Sequence, residues 1–195
     1  MSFGIGSVRI QIKFLFVAFM TLLLFTDTTG LMIYGYIFSM VHEAGHLLMM
    51  AYFRNPPEEI IFEIYGIRIV KQDRLIWYQE AAVLLAGPIT NLAIGMLIWW
   101  LSGQPNILTA YNLVLGILNL LPIAGLDGGQ LASLLLGRWL GPAGEKVAAA
   151  VSILLLAPLI AAGFYVFIGG EGNITLLLVV LFLLVTLWNW WSKLE

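Results

Sequence analysis

The chain has 195 residues, of which 61% are hydrophobic and only 10% are charged. A soluble domain of this size cannot bury that much apolar surface, whereas a membrane protein with several spans can. The sequence has no cysteine, which excludes disulfides and thiolate metal ligands. The formal net charge is −2, and no basic patch indicates nucleic acid as a partner. We therefore predict a single membrane-embedded domain over residues 1–195.

The beginning of the chain predicts a surface strand and then a first membrane span. Residues 1–7 are interpreted as an irregular start. Apolar and polar side chains alternate in residues 8–13, which is typical of a short strand at the membrane surface. The following apolar run is interpreted as a span over about residues 14–29. We expect this span to be retained, because no Ala-x-Ala cleavage site of a signal peptide follows it.

A second span, about residues 31–53, precedes a segment with β character. Pro56 and Pro57 predict the end of this span, because proline cannot continue a helix. Residues 60–78 are rich in β-branched and aromatic side chains, and they predict two or three short strands at the membrane interface. The alternative for this segment is an irregular amphipathic loop.

Four further apolar runs complete the prediction of a mainly α fold, a polytopic membrane protein with about six transmembrane helices and a small interfacial β-hairpin or sheet. The runs cover about residues 80–101, 107–121, 143–168 and 174–190, and residues 131–140 predict a short interfacial helix. The tryptophans Trp188, Trp190 and Trp191 are typical of an interface belt. All nine lysines and arginines then lie on the side of the termini, which predicts a multi-pass protein of the cell membrane with both termini in the cytosol.

The second span carries a pattern typical of zinc metalloproteases, His-Glu-x-x-His. His42 and His46 are the only two histidines of the chain. On a helix, a spacing of four places both imidazoles on one face, where they can bind one metal ion, most often zinc. Glu43 is then placed to act on a metal-bound water as general base. If the pattern had arisen by chance in a soluble helix, its polar residues would face water, but here apolar residues flank it on both sides. The remaining alternative to a metal site is a buried polar cluster with a structural or ion-path role.

Asp127 is the candidate third ligand. It follows Pro122 in a glycine-rich break at the end of the fourth span. At about 1.5 Å per residue, His46 lies roughly 10 Å below the inner end of its own span. Asp127 is expected near the inner end of the fourth span, so the two residues should lie at a similar depth in the membrane. A carboxylate is a suitable third zinc ligand and leaves the fourth position for water. The alternative is an aspartate that caps a turn beside Gly128 and Gly129.

The third span contains a Gly-Pro-x-x-Asn segment over residues 87–91. Pro88 removes one helical hydrogen bond and predicts a kink. Gly87 and Asn91 share a helix face. The pair can serve helix packing, or Asn91 can point its amide at a substrate.

Together, residues 42–46, 86–91 and 119–128 resemble the three signatures of the site-2 proteases, a family of zinc intramembrane proteases. The sequence is most similar to the branch of stage IV sporulation protein FB, and the resemblance covers most of the chain. It implies that one zinc ion per chain is bound by His42, His46 and Asp127, with Glu43 as general base. It also implies that Asn91 and Asn119 lie close to bound substrate. That branch commonly carries a C-terminal nucleotide-sensing domain, which is not expected here.

The predicted function is zinc-dependent cleavage of a protein substrate in or at the membrane, near its cytosolic face, as in regulated intramembrane proteolysis. Besides the substrate, the implied partners are the lipid bilayer and a membrane-protein regulator; the sequence indicates no oligomeric state, and a role in sporulation follows only from the resemblance. The alternative is a non-catalytic membrane protein that binds or transports zinc. A transporter would be expected to show several polar sites along its path.

Overall fold

The structure, a computed structural model, describes residues 2–6, 8–27, 30–63, 66–72, 75–168, 184 and 188. It is mainly helical with one small sheet, as the sequence predicts. The chain divides into two compact units, Met1–Ile117 and Leu118–Glu195, which we describe separately. The predicted single domain over residues 1–195 stays a prediction.

The first unit contains a four-stranded sheet in the order β1-β2-β3-β4. The strands are Ser2–Ile5, Val8–Ile12, Pro57–Glu63 and Gly66–Lys71. The outer pairs β1–β2 and β3–β4 are antiparallel, and β2 and β3 are parallel. β4 is therefore an edge strand of this sheet, and β3 and β4 pair as antiparallel strands rather than forming the irregular loop that was the alternative.

Two sequence-based assignments around this sheet are wrong. Residues 2–5 form β1 and not an irregular start, because Gly6 adopts a φ of 61° and allows a tight turn into β2. Trp77 and Tyr78 do not extend the sheet, because Trp77 begins a helix. The side chain of Gln79 accepts a hydrogen bond from the backbone N–H of Ile76, which stabilises that helix start.

Ion pairs connect the sheet to its surroundings. Glu63 of β3 pairs with Lys13 at 2.7 Å and with Arg68 of β4 at 3.0 Å. The hydrogen bond from Lys13, and the charges of Lys13 and Arg68, hold the pKa of the Glu63 carboxyl below its usual value, against the opposing effect of burial. Lys71 at the end of β4 pairs with Glu80 at 2.7 Å. β4 is thus tied near both of its ends.

The helices of the first unit are α1 (Phe14–Thr26), α2 (Leu31–Tyr52), α3 (Trp77–Ser102) and α4 (Ile107–Leu120), whose last turn continues into the second unit. α3 is central, and glycines permit its close packing. A Cβ at Gly45 of α2 would lie 2.8 Å from the backbone oxygen of Ala86. A Cβ at Gly95 of α3 would lie 2.9 Å from the Leu113 side chain of α4. These contacts bring α2 and α4 directly against α3.

Asp27 stabilises the start of α2. Its Oδ2 atom accepts hydrogen bonds from the backbone N–H groups of Met32 and Ile33, at 3.0 and 3.1 Å. These two N–H groups have no partner within the helix, and a negative charge is favourable at a helix N-terminus. This carboxylate therefore has a structural role at the opposite end of α2 from the histidines.

The second unit contains α5 (Asp127–Leu140) and α6 (Pro142–Ile168), which pack against each other. The predicted interfacial helix is thus one turn longer than residues 131–140. One hydrophobic cluster of this unit has Ile123, Ala124 and Leu156 as its buried residues. The loop before α5 therefore supplies two of these three side chains.

Among the described residues, one helix, Trp77–Ser102, is long and apolar enough to cross a membrane. Phe14–Thr26 and Ile107–Leu120 are apolar but shorter. The count of six transmembrane helices therefore stays a prediction. The expected sixth span, residues 174–190, and its tryptophan belt lie almost entirely outside the described residues.

Candidate metal centre

His42 and His46 lie on the face of α2 that packs against α3. They are 5% and 7% exposed, and Gly45 and Met50 belong to the same buried stripe. The helix continues over both positions and ends at Tyr52, before the two prolines that predict its end. The spacing of four residues therefore has the expected result, with both imidazoles on one face.

Each imidazole is held through its Nδ1 atom by a group of α3. His46 Nδ1 lies 2.7 Å from the backbone oxygen of Val83, and His42 Nδ1 lies 2.8 Å from Oδ1 of Asn91. Both partners are oxygen acceptors, so each Nδ1 carries the proton and donates. In a neutral imidazole the lone pair is then on the other ring nitrogen. Each Nε2 atom is therefore in the form that can bind a metal ion.

The two Nε2 atoms face each other at 3.2 Å. Two lone pairs at this distance repel each other unless a cation or a proton lies between them. With zinc–nitrogen bonds of about 2.0–2.1 Å at a tetrahedral angle, two ligand nitrogens lie roughly 3.3–3.4 Å apart. The observed separation fits this value, so the pair could hold a zinc ion.

Gly87 allows α3 to approach these nitrogens closely. A Cβ atom at this position would lie 2.5 Å from Nε2 of His46 and 2.7 Å from Nε2 of His42. Any side chain on Gly87 would thus crowd both candidate ligand atoms. The need for glycine in the Gly-Pro-x-x-Asn segment is explained by this contact as well as by helix packing.

Asn91 approaches His42 and is 0% exposed. Its Nδ2 atom donates to the backbone oxygen of Phe38 and to Oδ1 of Asn112, each at 3.1 Å. Both N–H groups of this amide are therefore used inside the protein. The Asn91 amide therefore has no N–H group left to donate to a substrate, as the predicted contact would require. Its position instead indicates that Asn91 orients the imidazole of His42.

The other predicted site residues are placed as follows. Glu43 is half-buried on α2, directly after His42. In the second unit, Asn119 lies in the last turn of α4, and Asp127 is the first residue of α5; both are half-buried. The start of a helix suits an anionic side chain, so the helix-start role of Asp127 and its predicted ligand role are compatible.

The loop that leads to Asp127 is held tightly within the second unit. Ser152 of α6 accepts a hydrogen bond from the Ala124 N–H at 3.0 Å, and its Oγ lies 3.1 Å from the Pro122 backbone oxygen. A Cβ at Gly128 would clash with the backbone of Leu120, and one at Gly129 with the backbone of Ile123. The glycines that follow Asp127 therefore allow the loop to fold back on the start of α5.

Sequence analysis missed three buried polar residues, Thr109, Asn112 and Ser152. All three are at most 1% exposed and belong to none of the three motifs. The available signal was a polar side chain within an apolar helix, which is expensive in a membrane and marks an internal contact. Nothing in the sequence says which residue each of them contacts.

Comparisons with known proteins bear on the family and the fold of the chain. The model of Peptidase family M50 matches residues 104–162, which include Asn119 and Asp127. The chain is 28% identical over 110 residues to stage IV sporulation protein FB of Bacillus subtilis, a match that covers 52% of the chain and 38% of that protein. The match thus spans well under half the length of this relative.

A solved structure shares the fold. The site-2 protease from Methanocaldococcus jannaschii matches with a TM-score of 0.69 and 23% identity, over 97% of this chain and 94% of that one. Together with the sequence matches, this likeness confirms the resemblance to the site-2 proteases. The comparisons indicate a metallopeptidase.

Proposed function

We infer that this chain is a membrane metallopeptidase with the site-2 protease fold, and we propose that it cleaves a protein substrate within the membrane, near the cytosolic face. One observation carries the proposal: the Nε2 atoms of His42 and His46 face each other at 3.2 Å in front of Gly87. Two buried imidazole nitrogens at this separation suit a shared metal ion. The family match makes zinc the typical choice.

We propose His42, His46 and Asp127 as the residues that would hold one zinc ion. The two histidines supply neutral nitrogens, and Asp127 supplies an anionic oxygen, a donor set that suits a zinc site with one position left open. When bound, zinc would lower the pKa of a water molecule and stabilise negative charge on the substrate carbonyl. Support for Asp127 comes from its chemistry and from the M50 match, which includes it.

Glu43 is proposed as the general base. Its carboxylate would accept the proton of the attacking water and then donate it to the amine leaving group of the cleaved peptide bond. It directly follows His42 on the same helix and is half-buried, so its charge is only partly screened by solvent. Asn119 is proposed to contact the bound substrate, as the resemblance implies.

An extended substrate is the second element of the proposal. The amides and carbonyls of a helix are already hydrogen-bonded, so a substrate must unwind to be cleaved, and the freed groups then need partners. β4 is an edge strand, and the outer side of an edge strand presents backbone N–H and C=O groups that can pair with another strand. We propose that substrate pairs with the edge of β4, in the manner of strand addition.

The proposed location is the cell membrane, with several spans and both termini in the cytosol. Support comes from the long apolar helix α3 and from the one-sided distribution of basic residues. Lys13, Arg68 and Lys71 belong to the sheet or adjoin it. The sheet would then lie on the cytosolic side.

Replacement of Glu43 by glutamine tests the function against the alternative, a non-catalytic protein that binds or transports zinc. The amide keeps the shape of the carboxyl group but cannot accept a proton at neutral pH. In a purified protein with a candidate substrate, cleavage should fall by at least about 100-fold while zinc content is unchanged. Ala44→Gln, at the next and exposed position, is the control and should remain active. A zinc-loaded wild type that cleaves no membrane substrate would support the alternative.

A further inference from the structure

A buried amide on α4 extends the hydrogen bonding of the metal centre to a third helix. Asn112 is 0% exposed, and its Oδ1 atom accepts from Nδ2 of Asn91 at 3.1 Å. Asn91 in turn lies against His42. We call Asn91 and Asn112 the amide pair. The pair lies entirely in the first unit.

A backbone oxygen sets the orientation of the Asn112 amide. Its Nδ2 donates to the Leu108 backbone oxygen at 3.0 Å. A flipped amide would place two oxygens against each other, which is unfavourable. Oδ1 of Asn112 therefore faces Asn91 and can only accept a hydrogen bond.

The orientation of Asn91 follows from its two acceptors. Its Nδ2 atom lies between Oδ1 of Asn112 and the Phe38 backbone oxygen. If this amide were flipped, its oxygen would face two other oxygens in a dry interior. Oδ1 of Asn91 must therefore face His42, and only a protonated Nδ1 of His42 can bond to it.

We infer that the amide pair holds His42 in the tautomer that carries its proton on Nδ1, so that the lone pair is on Nε2, the atom that faces His46. Asn91 and Asn112 are on this account positioning residues, which act through His42 and do not touch the reacting atoms. The tautomer is inferred from the hydrogen bonds alone. Only its purpose, metal binding, rests on the proposed function. Partners of this kind commonly set the tautomer of a metal-binding histidine.

The tautomer can be measured directly, because the chain has only two histidines. Protein with ¹⁵N-labelled histidine, metal-free and in detergent micelles at pH 8, has four ring nitrogens. A long-range ¹H–¹⁵N correlation spectrum shows which of them carries a proton, and a His46→Gln variant assigns the signals. Both histidines of the wild type should show a protonated Nδ1. A protonated Nε2 on His42 in the wild type would overturn the inference without any further variant.

Substitutions in the amide pair test the cause. Asn91→Leu removes the acceptor of His42 and should let this imidazole exchange between tautomers; Asn112→Leu should have the same effect to a smaller extent. His46 is an internal control, since the Val83 backbone oxygen holds it in both variants. Thr109→Val removes another buried polar group of α4, a hydroxyl that donates to Oδ1 of Asn106, and should leave His42 unchanged. An unchanged His42 in Asn91→Leu would sink the inference, and an unchanged His42 in Asn112→Leu would remove Asn112 from it.

Zinc affinity provides a second readout. Loss of such a partner commonly weakens metal binding by about 10–100-fold, so we expect about tenfold for Asn112→Leu and more for Asn91→Leu. Asn112→Asp should restore most of the affinity, because a carboxyl group keeps the acceptor for Asn91. If Asn112→Leu does not fold, Asn112→Ala takes its place in both measurements. If the tautomers behave as expected but no substrate is cleaved, the proposed function fails while this inference stands.

Discussion

Gly87 lies so close to His46 that a Cβ atom on it would be 2.5 Å from the imidazole Nε2. The same Cβ would lie 2.7 Å from Nε2 of His42, so the glycine faces both candidate ligand atoms at once. The helix α3 thus has two roles at this site. It holds the imidazoles through Val83 and Asn91, and at Gly87 it has no side chain to crowd their Nε2 atoms.

Gly87→Ala should therefore remove zinc from the protein. The added methyl group would press on both Nε2 atoms and displace the buried imidazoles from the arrangement that suits a shared metal ion. Metal analysis of purified protein should show close to no zinc, with the helical content unchanged. Gly95→Ala is a matched control, because the three atoms nearest to its methyl group are side-chain carbons of Leu113 and Asn112. It should cost about 1–3 kcal/mol of stability and keep zinc.

Asp127→Asn should weaken zinc binding and cleavage together. The substitution removes an anionic ligand, and we expect zinc affinity to fall by more than the tenfold that loss of an outer partner typically costs. Asp27→Asn is the control with the same chemical change, since Asp27 caps α2. It should lower thermal stability and retain zinc. Full zinc content and activity in Asp127→Asn would remove this residue from the ligand set.

Single prolines along β4 should separate the two faces of its backbone. Successive N–H groups of a strand point in opposite directions, so those of Ile67 and Ile69 point one way and those of Arg68 and Val70 the other. Proline at a residue whose N–H group bonds to β3 should disrupt the pairing of β3 and β4. Proline at a residue whose N–H group points away from β3 should strongly reduce cleavage and leave zinc content intact.

Cysteine crosslinking gives an independent test of this contact. Substrate cysteines should crosslink to β4 at every second position, as expected for a paired strand. Crosslinks at every third or fourth position would mean that the substrate enters as a helix, and the proposed strand pairing would then be wrong.

A reporter fused to the C-terminus tests the topology. With six spans and the basic residues on the side of the termini, a reporter active only in the cytosol should give a signal there. A reporter active only outside the cytosol should give none. The reverse result would contradict the predicted orientation and, with it, the cytosolic position of the sheet.

The sequence alone determined the local part of the centre. His42 and His46 lie four residues apart in an apolar helix, and the helical period by itself puts them on one face. The end of α2 before Pro56 and the polar nature of the site were equally local properties. The mainly helical fold followed from the length and spacing of the apolar runs.

Only the tertiary structure decided which nitrogen of each histidine carries the proton. The partner of His42 is 49 residues away in the sequence, and Asn112 lies a further 21 residues on. Hydrogen-bond direction depends on which backbone oxygens face each amide, and the helical period of one segment does not contain that information. For the same reason β1 and the helix start at Trp77 were missed. A short strand forms only where a neighbour is present to pair with it, and the pairing partner is set by the fold.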